Sequence, residues 1–189
     1  MYLKKIMTVA FVATIFFQTI PAQTMRNTTS IHPISLIAST AIPELPSTFK
    51  ITYERYRRPQ SALILSPELN ILNDAPLQFL ALSGSGGLRR YLGKPESGIY
   101  LQTKAHVTYL SIEESDRFGN NKYDAKGVVF KLLGYIGVKG KWNRISIFAD
   151  GGLGWAFGSV KYSGDSNALI TSGRGLGFDL NFGIGYSYF

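Results

Sequence analysis

The chain has 189 residues, a net charge of +8 and no cysteine, which excludes disulfides, thiolate catalysis, zinc–thiolate sites and lipid attachment through an N-terminal Cys. Charged residues make up only 17%, aromatics reach 13%, and all 20 glycines lie after residue 83; that balance argues against disorder and against an ordinary helical enzyme. The positive surplus suits anionic partners without naming one.

Lys4 and Lys5 precede an apolar run from Ile6 to Ile20, followed by Pro21-Ala22-Gln23. This is the order of a secretory signal peptide, with cleavage expected near Ala22. The run is shorter than the roughly 20 residues of a membrane-spanning helix. Removing residues 1–23 leaves a mature chain of charge +6. Residues 24–30 read as a short leader and 31–189 as one domain.

From residue 31 the chain alternates with period two, the mark of strands with one apolar and one polar face. Segment 31–40 is the faintest, with Pro33 near its start and Ile34, Leu36 and Ala38 on its apolar face. Segments 48–57, 61–72 and 79–92 follow. In 99–111, Ile99, Leu101, Ala105, Val107 and Tyr109 oppose Tyr100, Gln102, Lys104, His106 and Thr108. Segment 126–138 sets Val128, Phe130, Leu132, Ile136 and Val138 against Lys131, Leu133 and Tyr135. The strictest alternation is in 143–157 and 176–188, which end in Trp155 and Phe157, and in Tyr186 and Tyr188.

These are eight expected strands. Long connections, at 41–47, 73–78, 114–125 and 161–174, alternate with short ones at Arg58-Pro59-Gln60, 93–97 and Lys139-Gly140-Lys141. An up-and-down transmembrane β-barrel of the bacterial outer membrane has this plan, with long loops outside and tight turns in the periplasm. A soluble barrel of the lipocalin type alternates too, with the apolar face inward. Two features favour the apolar face outward. The polar face is rich in small residues such as Gly152, Gly154, Gly177, Gly183 and Gly185, which a narrow eight-stranded interior needs. The large aromatics gather towards strand ends, as in the girdles at lipid interfaces.

With its signal peptide, eight strands and final Tyr186-Ser187-Tyr188-Phe189, the chain resembles the small bacterial outer-membrane barrels of the outer-membrane-protein-X and opacity-protein kind. Gly87-Leu88-Arg89-Arg90-Tyr91-Leu92 followed by Gly98-Ile99-Tyr100-Leu101 is similar to a paired-strand pattern of uncharacterised small barrels, and Tyr53-Glu54-Arg55 before a short turn fits them also. The resemblance covers about residues 31–189 and implies that Tyr186, Tyr188 and Phe189 belong to the signal read by the barrel-assembly machinery. One departure is that Ser187, Gly185 and Gly183 occupy the phase of the last residue, where the family keeps apolar side chains; a terminal bulge or weaker recognition is the expectation.

With apolar residues outward, the interior collects Glu54, Glu68, Lys104, His106, Lys131, Arg144, Asp150 and Asp179, nearly balanced in sign. Charges in so narrow a space must pair, so a salt-bridged plug is expected rather than a path for ions. Arg55, Arg57, Arg58, Arg89, Arg90, Lys94, Lys139 and Lys141 fall with Arg144 at the tight-turn end, placed for lipid phosphates or for solvent. No hydrolase elbow accompanies the two histidines, so no catalytic residue is expected. Two histidines and no cysteine make a transition-metal site unexpected, and Asp116, Asp124 and Asp165 lack a calcium-loop spacing. No cofactor is expected: Gly151-Gly152-Leu153-Gly154 and Gly173-Arg174-Gly175 precede no helical pattern. No basic groove with a nucleic-acid module is present.

The expected role is a structural, surface-interacting barrel in the outer membrane of a Gram-negative-type bacterium. Its partners would be outer-membrane lipids and lipopolysaccharide, and a host or neighbouring protein met through loops 114–125 and 161–174. The alternatives are a narrow channel for small solutes or ions and a lipid A-modifying enzyme.

Overall fold

The structure, a computed structural model, describes residues 26–33, 47–74, 77–94, 96–115, 122–163 and 168–188. Its strands are β1 (Asn27–Ile31), β2 (Ser47–Arg58), β3 (Ser61–Asp74), β4 (Leu77–Tyr91), β5 (Gly98–Ser115), β6 (Lys122–Trp142), β7 (Ile145–Ser163) and β8 (Ala168–Tyr188). Each pairs antiparallel with the next, and β1 also pairs with β8, so the eight strands close into one barrel. The ring closes through five pairs, from Asn27↔Tyr188 to Ile31↔Ile184.

The alternation read from the sequence sets the orientation of the wall. Leu153, Trp155, Leu176, Phe178 and Leu180 are all more than 60% exposed on the outside. Lys104, Arg89, Glu54 and Lys139 are at most 2% exposed within. The polar face is the inner one.

Several boundaries differ from those expected. The first strand is Asn27–Ile31, inside the expected leader, and Ile34, Leu36 and Ala38 lie outside the described residues, as do residues 1–23 and Phe189. Thr28 and Ser30 point inward and Ile31 outward, so this short strand alternates without a large apolar face to announce it. Much of the expected loops 114–125 and 161–174 is strand, because β5 runs to Ser115, β6 starts at Lys122, and β7 and β8 reach Ser163 and Ala168, while 116–121 and 164–167 lie outside the described residues. Backbone ladders continue there through Glu113↔Asp124 and Lys161↔Ile170 whatever the side chains. The link expected at 73–78 shrinks to the two residues between Asp74 and Leu77, while that between β4 and β5 spans six. Loop lengths therefore do not alternate regularly.

The turn expected at Lys139-Gly140-Lys141 begins four residues further on, at Asn143. β6 continues to Trp142, and Asn143 takes the left-handed conformation (φ 54°) that begins the turn; Asn tolerates it better than most residues. This carries Lys139 into the wall with its side chain inside the barrel. At the other early turn, the register of β2 shifts between Tyr56 and Arg58, and Arg57 and Arg58 both leave the interior for solvent. β8 keeps one register against β1 as far as Tyr188, so the expected terminal bulge is not found among the described residues.

Candidate functional site: a charged interior

Among the described residues five inward cations (Lys50, Arg89, Lys104, Lys131, Lys139) face four inward acids (Glu54, Glu68, Asp150, Asp179). Charges inside a closed barrel are tolerable only when bonded to each other, since removing them from water costs several kcal/mol each.

Near the tight turns, Glu54 is the hub. It accepts from Lys139 Nζ at 2.6 Å, from Arg89 Nη1 at 3.2 Å and from the Tyr91 hydroxyl at 2.6 Å. Lys139 also donates to the Tyr56 hydroxyl at 2.9 Å. Arg89 Nε donates to Gln102 Oε1 at 2.8 Å, its guanidinium lies 4.0 Å from the centroid of the Tyr100 ring, and Nη2 is 3.6 Å from Asp150. Tyr100 donates to the same Asp150 at 2.7 Å. The fork of an arginine suits this divided bonding better than a lysine would.

Asn181 joins this cluster to a second one. Its amide nitrogen donates to Asp150 at 2.7 Å, and its oxygen accepts from Lys50 Nζ at 2.6 Å. Lys50 lies 3.1 Å from Glu68 and 3.6 Å from Asp179. The Tyr135 hydroxyl donates to Asp179 at 2.8 Å and so accepts from His106 Nε2, also at 2.8 Å. Lys104 Nζ lies 4.9 Å from the centroid of the same Tyr135 ring, a cation–π distance. One path of hydrogen bonds and ion pairs thus runs Lys139–Glu54–Arg89–Asp150–Asn181–Lys50–Glu68 and touches β2, β3, β4, β6, β7 and β8. The short β1 joins by Thr28 to Ser187 (2.9 Å), and His32, just past its end, bonds Thr52 at 2.8 Å.

Room for these long side chains comes from glycine. Tyr100, Tyr135 and Phe148 each face a glycine register partner on the next strand, respectively Gly137, Gly152 and Gly183. A Cβ at Gly137 or Gly152 would fall 2.5 Å from the ring it faces. Each ring lies over a backbone with no side chain to push it into the bore.

At the tight-turn rim, Glu96 is buried in the left-handed conformation (φ 62°) and bonded by Arg26 at 3.3 Å and by Lys141. A non-glycine residue holds such a backbone only where its surroundings fix it.

Of the eight residues expected inside, Glu54, Glu68, Lys104, His106, Asp150 and Asp179 belong to this interior, and Lys131 shares their face and is half-buried. Arg144 does not. It is an exposed turn residue whose guanidinium donates to the outward Tyr186 hydroxyl at 3.1 Å, because the turn reverses the chain before its side chain reaches the bore. Arg89 and Lys139 are corrected in the other direction, from the tight-turn surface to the interior. Lys50, Tyr91, Tyr135, Asn181 and His32 were not singled out by sequence reasoning. Strand phase was the available signal, since Lys50 opposes Phe49 and Ile51, Arg89 opposes Leu88, and Lys139 opposes Val138.

Tyr186 and Tyr188 point outward on β8, and Tyr188 bonds Thr29 at 3.1 Å. Among the described residues no group of three or more His, Asp or Glu is arranged to hold a metal ion, and no helix is long and apolar enough to cross a membrane. The molecule belongs structurally to the closed, eight-stranded antiparallel barrels with an apolar exterior and a bonded, charged interior. No family model matches the chain, and no curated protein matches it significantly.

Proposed function

We propose that this protein is an outer-membrane β-barrel, exported through the segment 1–23, whose role is structural and surface-interacting. The observation that carries the reading is the outer surface. Among the described residues thirty large apolar side chains are exposed, against eleven hydrophobic residues that are buried. Soluble monomers rarely expose a contiguous apolar patch beyond a few hundred Å², and this belt follows the wall from β2 to β8. Along β8 the outward residues from Leu176 to Tyr186 span ten residue steps. At typical strand rise and barrel tilt that is about 26 Å of height, close to the apolar band of outer-membrane barrels.

The bonded interior favours a sealed scaffold over a narrow channel. Both histidines, His32 and His106, face inward and are bonded to Thr52 and Tyr135, which disfavours a lipid A-modifying centre on the lipid side. The strand ends Ile112–Ser115, Lys122–Lys126 and Lys161–Ser163, opposite the tight turns, would stand above the membrane with the links they carry. They would offer the surface for lipopolysaccharide, a host factor or a neighbouring protein. Tyr186, Tyr188 and Phe189 would present the closing strand to the assembly machinery.

Gel mobility of the membrane fraction tests this reading. A folded barrel of this kind migrates differently before and after boiling; a chain found in the soluble fraction, with one mobility, contradicts it.

A further inference from the structure

The outer face carries two parallel furrows. The first, of about 890 Å³, has the backbone of Ala62, Arg89, Gln102, Tyr135, Gly152 and Asp179 as its floor. These residues form one continuous register row across β3 to β8. Their side chains point inward, and the walls are the outward residues on either side. The second furrow, of about 590 Å³, lies beside it over Gly137, Asp150 and Asn181. The two share the ridge Ile136–Gly151–Leu180, and the same register row runs back through Leu101 to Arg90, both of which line the first furrow.

Small outward residues deepen both. Thr103 and Gly134 lower one wall of the first, Ala149 lowers the second, and Gly151 notches the ridge between them. Six strands at sheet spacing give the longer furrow a run of about 24 Å, on the scale of one fatty acyl chain. Because strands tilt in a barrel, a row perpendicular to them climbs obliquely through the apolar belt. It starts at the exposed cations Arg57 and Arg90, at the tight-turn end, and finishes among Leu153, Phe178 and Leu180.

Two apolar furrows divided by one ridge, with the cations Arg57 and Arg90 at the head of the longer one, are complementary to a diacyl amphiphile with a single phosphate. We propose that this face seats one glycerophospholipid, its phosphate against Arg90 and Arg57 and an acyl chain in each furrow. The inference rests on the membrane reading above, in which the tight-turn end lies in the phospholipid leaflet. Lipid A, with more chains and two phosphates, matches a pair of furrows with one head poorly.

The test is native mass spectrometry of the mature chain, refolded in bilayers containing phosphatidylglycerol and lipid A and then extracted into detergent. The wild type should retain one phosphatidylglycerol per barrel. Arg90→Gln should retain roughly fivefold less, and Arg57→Gln with Arg90→Gln more than tenfold less, as loss of one or two phosphate-directed charges predicts. Gly134→Leu should also lower retention with both cations intact. Its new Cβ meets nothing closer than the Leu153 carbonyl at 3.9 Å, so the barrel folds, as its heat-modifiable mobility should show. Arg174→Gln, an outward cation remote from both furrows, should change nothing. Equal retention in every variant, or retention of lipid A in place of phosphatidylglycerol, overturns the site while leaving an inserted barrel. A chain that never enters bilayers overturns the membrane reading instead.

Discussion

The phenol ring of Tyr135 lies over Gly152, its register partner on β7, so closely that a Cβ there would fall 2.5 Å from the ring. The ring holds its hydroxyl 2.8 Å from both Asp179 and His106. Backbone, aromatic ring and polar network therefore depend on one missing methyl group. Gly152→Ala should force the ring off its seat and weaken both bonds, destabilising the barrel by about 1–3 kcal/mol, the usual cost of overpacking. Combining it with Tyr135→Ala should cost less than the sum of the two single changes, because the clash needs both partners. Urea unfolding of the refolded barrel measures the coupling; strict additivity would show that the ring does not rest on the glycine.

Glu54 neutralises two cations at once. Glu54→Gln keeps the shape but leaves Arg89 and Lys139 buried without their shared carboxylate, and should cost about 3–5 kcal/mol. Replacing Glu54, Arg89 and Lys139 together with Leu or Met should cost much less, since no uncompensated charge then remains. Equilibrium unfolding distinguishes these outcomes. Equal losses in the single and triple variants would mean that shape, not charge, holds this part of the interior.

The same cluster fills the bore near the tight turns. In a planar bilayer the wild-type barrel should carry no sustained current. Serines at Glu54, Arg89 and Lys139 shorten three interlocked side chains and should admit small ions. Steady wild-type conductance, unchanged in that variant, would favour the channel reading and sink the plug.

Glu96 is held in left-handed backbone by Arg26 and Lys141. Glu96→Gly keeps the conformation accessible but removes both ion pairs; Glu96→Ala removes the pairs and keeps the strain. The alanine variant should therefore be the less stable of the two by up to about 1 kcal/mol, measured by thermal unfolding of the refolded barrel. The reverse order would show that the backbone there is relaxed.

Seven of the eight strands, the orientation of the wall and seven of the eight interior residues are legible because period two is a direct consequence of strand geometry, and a slip of one residue would invert every side chain. What was not legible depended on where strands stop. Lys139 and Arg144 exchanged roles because the turn begins at Asn143 and not at Lys139, and this four-residue displacement moves one cation into the bore and leaves another in solvent. Arg89 was read by its neighbourhood of basic residues when its phase, opposite Leu88 and in step with Tyr91, already placed it inside. β1 carries almost no signal, since Asn27-Thr28-Thr29-Ser30-Ile31 holds one large apolar residue, and the strand is fixed by pairing to both β2 and β8. The continuation of β5 to β8 beyond the apolar belt was hidden for the same reason: backbone bonding extends a ladder where side-chain pattern has ended.

The central claim is that the outer face meets hydrocarbon, and the chain's two tryptophans, Trp142 and Trp155, are placed to test it, being 83% and 64% exposed on that face. The direct measurement is tryptophan fluorescence of the refolded barrel in bilayers whose acyl chains carry bromine. Immersion predicts emission shifted to the blue and strong quenching, deepest for Trp155, which lies further along the belt than Trp142 at the tight-turn end. Red-shifted, unquenched emission from a folded chain that stays monomeric in detergent-free buffer would contradict it.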